Sequence, residues 1–237
     1  MTARPPRALA IVPAGGVGSR FGSRLAKQYL TIDGAPVLVH TLRALARARS
    51  LDGLVLVVPA QRIGPTRALL ARYRLPRVVS VVAGGAERQE SVWNGLQATP
   101  LDVPWVVVHD AVRPFVTAAL VERVLEAAQG PGAATCGMPV RETVKRVREA
   151  MVQDTLDREG LWLVQTPQAF RRELLWEAHE KARRDAYSGT DDAVLVERLG
   201  RRVAMVTGVP ENLKITTRDD LRTAKRWMRS RMGRPPQ

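Results

Sequence analysis

Short apolar runs recur through the first half of the chain, and segments with helical periodicity lie between them. The apolar runs, each of which predicts a buried strand, are residues 8–12, 54–58, 78–82 and 105–108. The helical patterns cover residues 37–49, 65–73 and 87–98. Strands that alternate with helices are typical of right-handed βαβ units. The pattern therefore predicts an α/β fold with a mainly parallel, twisted sheet flanked by helices.

A different pattern covers about residues 139–160. Charged and β-branched residues alternate over 139–147, and residues 151–157 could pair back against them. This predicts a protruding β-hairpin, which we call the arm. A two-stranded hairpin is only marginally stable alone, so we expect the arm to lie on another surface. A second copy of the chain is the natural candidate, which predicts a homodimer.

The remaining segments complete the predicted order of elements. We expect further strands at 133–138, 161–164 and 202–206, and helices near 171–184, 191–199 and from about 218. No internal repeat, low-complexity segment or linker interrupts the sequence. The prediction is one domain over residues 1–237, with the arm at about 139–160.

The composition is that of an ordinary soluble globular protein. Of 237 residues, 45% are hydrophobic and 25% are charged. The longest apolar runs are too short to span a bilayer, and no secretory signal is visible at the N-terminus. Cys136 is the only cysteine, so no internal disulfide can form. We therefore expect a cytoplasmic protein with no membrane partner.

The net charge of +14 raises the alternative of a basic nucleic-acid-binding protein. The charge is concentrated at the ends: residues 1–27 carry five cations and no acid, and residues 218–237 carry seven cations and two acids. No zinc finger, helix-turn-helix or aromatic RNA-binding signature accompanies it. Charge alone supports weak, nonspecific binding, so we expect no specific nucleic-acid partner.

The most informative motif is the loop at residues 13–28, directly after the first predicted strand. It begins with three closely spaced glycines, Gly15, Gly16 and Gly18, and three cations follow them, Arg20, Arg24 and Lys27. Glycines let backbone N–H groups approach an anion closely, and fixed cations add charge, so the loop suits a polyphosphate. A tight turn is the simpler alternative. Phe21 breaks the dinucleotide-binding fingerprint, and a Walker A sequence is absent.

Two further motifs follow predicted strands. Asp110, at the carboxyl end of the strand 105–108, could hold a Mg²⁺ that also touches nucleotide phosphates, and Arg113 could contact a phosphate. A turn cap is the alternative for Asp110, and we expect His109 to be a structural hydrogen-bonding residue. Gly84 and Gly85 precede a predicted helix, and the start of that helix could bind an anion or a base edge. A glycine turn would produce the same pattern.

Together the motifs have the order and spacing found in one enzyme family. Residues 12 to about 221 resemble the cytidylyltransferases of isoprenoid biosynthesis. The resemblance is carried by Lys-Gln-Tyr-Leu after the glycine loop, His-Asp-x-x-Arg-Pro, Gln-Thr-Pro-Gln and Asn-x-Lys-Ile-Thr, which begin at Lys27, His109, Gln165 and Asn212. It implies a Rossmann-like nucleotidyltransferase fold, a divalent cation such as Mg²⁺, and a homodimer whose arm reaches the neighbouring subunit's site.

The resemblance also implies the reaction. The phosphate of 2-C-methyl-D-erythritol 4-phosphate attacks the α-phosphorus of CTP, giving 4-diphosphocytidyl-2-C-methyl-D-erythritol and pyrophosphate in the non-mevalonate isoprenoid pathway. Ribitol 5-phosphate is the alternative acceptor, because a ribitol 5-phosphate cytidylyltransferase has the same fold and much of the same motif set. Phosphoryl-type transfer depends mainly on positioning and electrostatic stabilisation, so no protein nucleophile is needed.

Matching positions give each site residue an expected role. Arg20 and Lys27 would stabilise charge on the α-phosphate, Asp110 would hold the metal, and Arg158 and Lys214 would position the incoming phosphate. The residues expected to bind CTP are Ala14, Gly15, Gly16, Gly18, Gly85, Ala86 and Ser91. Those expected to bind the acceptor are Arg113, Thr143, Thr166 and Thr190. Thr143 and Arg158 lie in or beside the arm and would act across the dimer interface. Ala86 stands where some members have aspartate, so a base contact there would use the backbone.

Overall fold

A seven-stranded sheet forms the centre of the computed structural model, which describes residues 7–16, 26–75 and 77–232. The strands are β1 (Ala8–Pro13), β2 (Thr31–Ile32), β3 (Ala35–Pro36), β4 (Leu51–Val58), β5 (Val78–Ala83), β6 (Trp105–Val108), β7 (Ala133–Pro139), β8 (Val144–Arg148), β9 (Met151–Leu156), β10 (Trp162–Arg171) and β11 (Ala204–Thr207). The helices are α1 (Val37–Leu45), α2 (Ile63–Arg72), α3 (Arg88–Gln97), α4 (Ala118–Ala128), α5 (Arg172–Arg184), α6 (Ala193–Glu197) and α7 (Arg218–Met232). No helix in these described ranges is long and apolar enough to cross a membrane.

The strand order across the sheet is β11-β7-β10-β6-β1-β4-β5. Six strands run in one direction, and β10 runs antiparallel to both of its neighbours, β6 and β7. The predicted mainly parallel sheet is therefore confirmed. The prediction placed a strand only at 161–164, whereas β10 continues to Arg171 through Gln165-Thr166-Pro167-Gln168, three of which are polar.

The central strand β1 shows why the apolar runs are continuous rather than alternating. Ala10 and Val12 pack into the core beneath α1 and α4, whereas Ile11 packs on the opposite face with residues of α3. Helices thus cover both faces of the sheet, so every position along β1 is buried or nearly so. Hydrophobic burial on both faces holds the carboxyl end of β1, up to Ala14, at a fixed place.

Loops that matter for function meet at the carboxyl edge of the parallel strands. The N–H of Ala14 donates to the carbonyl of Val57, and the N–H of His109 donates to the carbonyl of Ile11. The N–H of Gly84 reaches the carbonyl of Val58 in the same way. The ends of β1, β5 and β6 therefore lie at one edge of the sheet, as expected for ligand-binding loops of open α/β sheets.

The predicted arm is confirmed as a separate two-stranded sheet of β8 and β9. Val144 pairs with Leu156 at its base, and Arg148 pairs with Met151 at its tip. Most of its side chains are exposed. The final helix, α7, begins at the predicted residue because Thr217 and Asp220 cap each other: the Asp220 N–H donates to Thr217 Oγ1, and the Thr217 N–H donates to Asp220 Oδ2.

Candidate active site

Two adjoining cavities lie at the carboxyl edge of the sheet. The first, the glycine cavity, is lined by Pro13, Ala14, Gly15, Gly16, Lys27, Gln28, Gly85, Ala86, Glu87, Arg88, Ser91, Asp110, Ala111, Val112 and Lys214. The second, the threonine cavity, is lined by Arg88, Asp110, Arg113, Val164, Gln165, Thr166, Gln168, Thr190, Asp191 and Lys214. Arg88, Asp110 and Lys214 belong to both. Two ligands placed in the two cavities would therefore meet at one carboxylate and two cations.

One wall of the glycine cavity joins the end of β1 to a short turn at Lys27–Tyr29. Gln28 is buried, and its Nε2 donates to the carbonyl of Ala14 at 2.6 Å. This hydrogen bond holds the turn against the strand end, which places Lys27 on the cavity wall. Gly18 and Arg20, both predicted to act here, lie outside the described residues.

The opposite wall is the loop before α3. Ser91 Oγ accepts from the N–H of Gly85 and donates to the carbonyl of Glu87. A Cβ on Gly84 would lie 2.7 Å from Ser91 Oγ, which is too close, so the turn requires glycine there. The Ala86 N–H donates to Glu90 Oε2 at 2.7 Å. Ser91 therefore shapes the loop with its hydroxyl as well as lining the cavity.

Asp110 is the centre of the combined site. Its Oδ1 accepts from Arg88 Nε at 3.2 Å, and its Oδ2 lies 2.8 Å from Lys214 Nζ and 3.6 Å from Arg113 Nε. Burial opposes ionisation of this carboxyl, but the charges of Arg88, Lys214 and Arg113 outweigh burial and hold the pKa of Asp110 well below its usual range. Asp110 is thus a carboxylate at all physiological pH values.

Lys214 lies on a loop that is docked on both sides of it. The Ile215 N–H donates to the carbonyl of Val112, and Asn212 Nδ2 donates to the carbonyl of Thr166 at 2.7 Å. The carbonyl of Asn212 accepts from Arg113 Nη1 at 2.7 Å. Arg113 is itself buried, and burial lowers the pKa of its guanidinium. These contacts give the Lys214 ammonium a defined position between the two cavities.

His109 is fully buried and supports the threonine cavity from below. A carbonyl can only accept, so His109 Nε2 donates to the Arg113 carbonyl at 3.2 Å. His109 Nδ1 then accepts from Thr166 Oγ1 at 3.1 Å, and Thr166 Oγ1 accepts from the Asp110 N–H. Burial lowers the pKa of His109 to about 4, and the Asp110 charge offsets only part of that effect. The ring is neutral at pH 7 and acts as the structural residue that the sequence predicted.

Because the folded-state pKa of His109 is depressed, we expect stability to fall as the pH drops from about 6.5 toward 4. The unfolded chain protonates His109 in this window, whereas the folded chain resists protonation until about pH 4. The free energy of unfolding should lose about 2 kcal/mol through this group at pH 5. Urea titrations at pH 7 and pH 5 measure the loss. His109→Gln does not titrate and keeps an amide donor for the Arg113 carbonyl, so its loss should be smaller; equal losses would contradict the assignment.

The described part of the chain brings most of the predicted residues together. Those on the glycine cavity are Ala14, Gly15, Gly16, Lys27, Gly85, Ala86 and Ser91, those on the threonine cavity are Arg113, Thr166 and Thr190, and Asp110 and Lys214 line both. Thr143 and Arg158 line neither cavity of their own chain. Both side chains are exposed, and Arg158 Nη1 donates to the carbonyl of Arg141.

Sequence reasoning assigned no role to Arg88, Gln28 or Asp192. Arg88 lies within the 84–92 motif, three residues after its second glycine, so that motif was the available signal. Gln28 follows Lys27 directly, but nothing in the sequence indicates that its amide returns to Ala14. Asp192 is buried and contacts Arg88 from 104 residues away, a distance that no local pattern indicates.

The donor set around Asp110 fits a metal that is shared with a ligand rather than held by protein alone. In the described ranges no group of three or more His, Cys, Asp or Glu side chains could hold a metal ion. Mg²⁺ commonly takes only one or two carboxylates and completes its shell with phosphate oxygens and water. Asp110 can supply one carboxylate oxygen at the boundary of both cavities, once a cation that contacts it shifts.

Comparison with known proteins agrees with this geometry. Residues 8–230 match the family model described as IspD, 2-C-methyl-D-erythritol 4-phosphate cytidylyltransferase. The protein of that name from Syntrophus aciditrophicus is 48% identical over 231 residues, which cover 97% of this chain and 99% of the relative. The one from Pelotomaculum thermopropionicum is 46% identical over 227 residues, with 95% of each chain covered.

Solved structures give the same result. The crystal structure of 2-C-methyl-D-erythritol 4-phosphate cytidylyltransferase from Thermus thermophilus has a TM-score of 0.78 at 38% identity, and covers 93% of this chain and 98% of its own. The 4-diphosphocytidyl-2C-methyl-D-erythritol synthase from Anaerococcus prevotii has a TM-score of 0.83 at 29% identity, with 94% and 96% covered. Together with the family model, these relatives show that the chain belongs to the 2-C-methyl-D-erythritol 4-phosphate cytidylyltransferase family.

Proposed function

We propose that this protein transfers a cytidylyl group from CTP to 2-C-methyl-D-erythritol 4-phosphate, the reaction for which its family is named. The products are 4-diphosphocytidyl-2-C-methyl-D-erythritol and pyrophosphate. One structural observation carries the proposal: two cavities adjoin and share Arg88, Asp110 and Lys214. A reaction between two phosphate-bearing substrates needs two sites that meet at a positively charged boundary.

CTP would occupy the glycine cavity. The backbone of Gly15 and Gly16 lies on one wall and can approach a triphosphate closely, while the 84–91 loop on the other wall offers backbone groups to the base. Lys27 lies on the same cavity, and Arg20 would join it. Both cations would then lie beside the α-phosphate, where negative charge accumulates during the reaction.

The acceptor would occupy the threonine cavity. Thr166 and Thr190 present hydroxyl groups suited to an alcohol, and Arg113 presents a guanidinium. Lys214 lies at the boundary, so it could hold the acceptor phosphate next to the α-phosphorus of CTP.

The chemistry requires no protein nucleophile. An oxygen of the acceptor phosphate attacks the α-phosphorus of CTP, a new P–O bond forms, and the bond from the α-phosphorus to the bridging oxygen of the leaving pyrophosphate breaks. Charge builds on the non-bridging oxygens of the α-phosphate, where Lys27 and Arg20 would stabilise it. Lys214 would keep the two phosphates in line despite their mutual repulsion.

We further propose that Asp110 holds a Mg²⁺ together with the triphosphate. The ion would neutralise part of the triphosphate charge. Asp110 suits this role because it is ionised and lies at the boundary of both cavities.

We also propose that the chain forms a homodimer through the arm. Val147 and Val152 pair across the arm and are 55% and 59% exposed. Exposed apolar side chains on a marginally stable hairpin favour a protein interface. Thr143 and Arg158 lie in the arm just outside its two paired strands, and they line neither cavity of their own chain. A partner's cavity would give both residues a place to act.

A charge on the apolar face of the arm should dissociate this dimer. We expect Val152→Asp to sediment as a monomer at a concentration where the wild-type protein sediments as a dimer, because the carboxylate would be desolvated in the interface. Turnover should fall in parallel. Gln153→Asp places the same charge on the other face of β9 and should remain dimeric. A dimeric, fully active Val152→Asp protein would contradict the proposed interface.

Two further proposals concern the domain organisation and the cellular location of the protein. We propose that residues 1–237 act as a single nucleotidyltransferase domain and that the protein works in the cytoplasm. The continuous seven-stranded sheet supports a single domain. The single cysteine, Cys136, is buried and in no disulfide, which suits a reducing compartment.

The deciding test is a turnover assay with purified protein, CTP and Mg²⁺. Pyrophosphate release is followed with 2-C-methyl-D-erythritol 4-phosphate and, separately, with ribitol 5-phosphate. We expect release with the first acceptor, and release with ribitol 5-phosphate alone would overturn the acceptor assignment. Salt-sensitive nucleic-acid binding in a filter assay, without turnover of either acceptor, would instead favour a basic nucleic-acid-binding protein.

A further inference from the structure

Arg88 joins two carboxylates that are remote in sequence. Its Nε donates to Asp110 Oδ1 at 3.2 Å, and its Nη1 donates to Asp192 Oδ2 at 2.8 Å. Asp110 is 6% exposed and Asp192 only 1%. One guanidinium therefore spans from the centre of the site to a buried carboxylate behind the wall of the threonine cavity.

The segment 187–192, which contains Asp192, is held by the start of α3 at several points. Ser188 Oγ donates to Glu87 Oε2 at 2.8 Å, and the Gly189 N–H donates to Gln89 Oε1 at 2.8 Å. With Arg88, three consecutive residues thus contact this one segment. Glu87 and Arg88, at the start of α3, also line the glycine cavity.

On its other side the segment is held by β10. Gln168 is fully buried; its Nε2 donates to Asp191 Oδ2 at 2.7 Å, and its Oε1 accepts from the Asp192 N–H at 3.2 Å. Thr190, which lines the threonine cavity, directly precedes these two anchored residues. Gln168 and Arg88 thus set the position of Thr190 through the two residues that follow it.

We propose that Arg88 is a positioning residue: by holding Asp110 and Asp192 at once, it sets the distance between the reaction centre and the Thr190 wall. The proposal rests on the acceptor role proposed above for the threonine cavity. An acceptor that touches Thr190 at one end and reaches Lys214 at the other is aligned only if that distance is fixed. Loss of alignment by about 1 Å can cost a reaction about 100-fold in rate.

The shape of the guanidinium matters for this role as much as its charge. Arginine presents N–H donors on a rigid fork and can bind two carboxylates simultaneously, whereas a lysine ammonium is a compact point charge. Arg88→Lys therefore keeps a cation beside the buried acids but cannot bridge them in the same geometry. Asp192→Asn tests the bridge from its other end, since Asp192 lines neither cavity.

The experiment measures kcat and both KM values for the two variants, and CTP binding by calorimetry without acceptor. We expect KM for 2-C-methyl-D-erythritol 4-phosphate to rise about tenfold and kcat to fall about tenfold in each. The dissociation constant for CTP should change less than about threefold, a split that general destabilisation would not produce. The control is Arg198→Lys, because Arg198 also pairs with an aspartate, Asp185, at 3.3 Å, away from both cavities. Its kinetics should match the wild type.

The double variant sharpens the result. If Arg88 and Asp192 act as one bridge, Arg88→Lys with Asp192→Asn should be no worse than Arg88→Lys alone. Additive losses, or lowered thermal stability with unchanged kinetics, would overturn the positioning role. If Asp192→Asn does not fold, the KM and CTP-binding measurements on Arg88→Lys decide alone. Absence of wild-type turnover would count against the proposed function, whereas normal wild-type turnover with unchanged variant kinetics overturns only the positioning role.

Discussion

Replacing Lys27 with alanine is expected to lower kcat about 1000-fold while KM for CTP changes far less. The ammonium acts on charge that is fully present only in the transition state, so its loss affects the chemical step more than substrate binding. Steady-state pyrophosphate release at saturating acceptor measures the effect. The fold should persist, because Gln28 still anchors the turn to the Ala14 carbonyl and β1 remains buried.

Two further variants separate the charge of Lys27 from its shape. The chain has 37 basic residues and only five lysines, so a lysine retained at this position indicates a need for a compact ammonium. Lys27→Arg should recover part of the rate and remain clearly below wild type. Lys225→Ala removes an exposed lysine of α7 and should be fully active. Near-normal turnover by Lys27→Ala would remove Lys27 from the catalytic machinery.

Lys214→Ala is expected to cause the second-largest loss, about 100-fold in kcat/KM for the acceptor. The Lys214 ammonium lies 2.8 Å from Asp110 Oδ2 at the boundary of the two cavities, where the acceptor phosphate would arrive. Arg88 and Arg113 still contact Asp110 in the variant, so the buried carboxylate is not left without a cation. Initial rates over a matrix of both substrate concentrations separate the two KM values.

A matched control exists for Lys214 within the same chain. Lys181 Nζ lies 2.9 Å from Asp185 Oδ2 on the surface of α5, so Lys181→Ala also removes a lysine–aspartate pair. Surface pairs contribute little, and this variant should behave as wild type. If Lys214→Ala keeps wild-type kinetics toward 2-C-methyl-D-erythritol 4-phosphate, the ammonium does not position the acceptor.

The strands that pack on both faces were the most predictable part of the fold. β1, β6 and residues 54–58 of β4 are continuous apolar runs because helices cover both sides of the sheet, and periodicity detects such runs directly. The second half of β10 escaped prediction because Gln165, Thr166 and Gln168 are polar and Pro167 is uncommon inside a central strand. They are nevertheless buried or half-buried, and Gln168 is stabilised there by hydrogen bonds to Thr135 and Asp191. Those partners are 33 and 23 residues away, so no local pattern could indicate that polar side chains belong in a central strand.

In the candidate site, too, some residues were predictable from the sequence and the contacts that position them were not. Glycines, a strand-end acid and retained lysines mark the ends of parallel strands, and the resemblance supplied roles for them. Contacts that hold these groups in place were not predictable, because they join segments that only folding brings together. Arg88 with Asp192, Asn212 with Thr166, and Gln28 with Ala14 are of this kind.

The reversed direction of β10 has a consequence for inhibition. Because it runs against its neighbours, this strand starts at the foot of the arm, at Trp162, and its Thr166 lies four residues later in the threonine cavity. In the proposed dimer a single ten-residue strand therefore connects the subunit contact to the acceptor wall. A small molecule bound at the foot of the arm would displace the start of β10 and, through this strand, would move Thr166 on the wall of the threonine cavity. Such a compound would not compete with CTP for the glycine cavity.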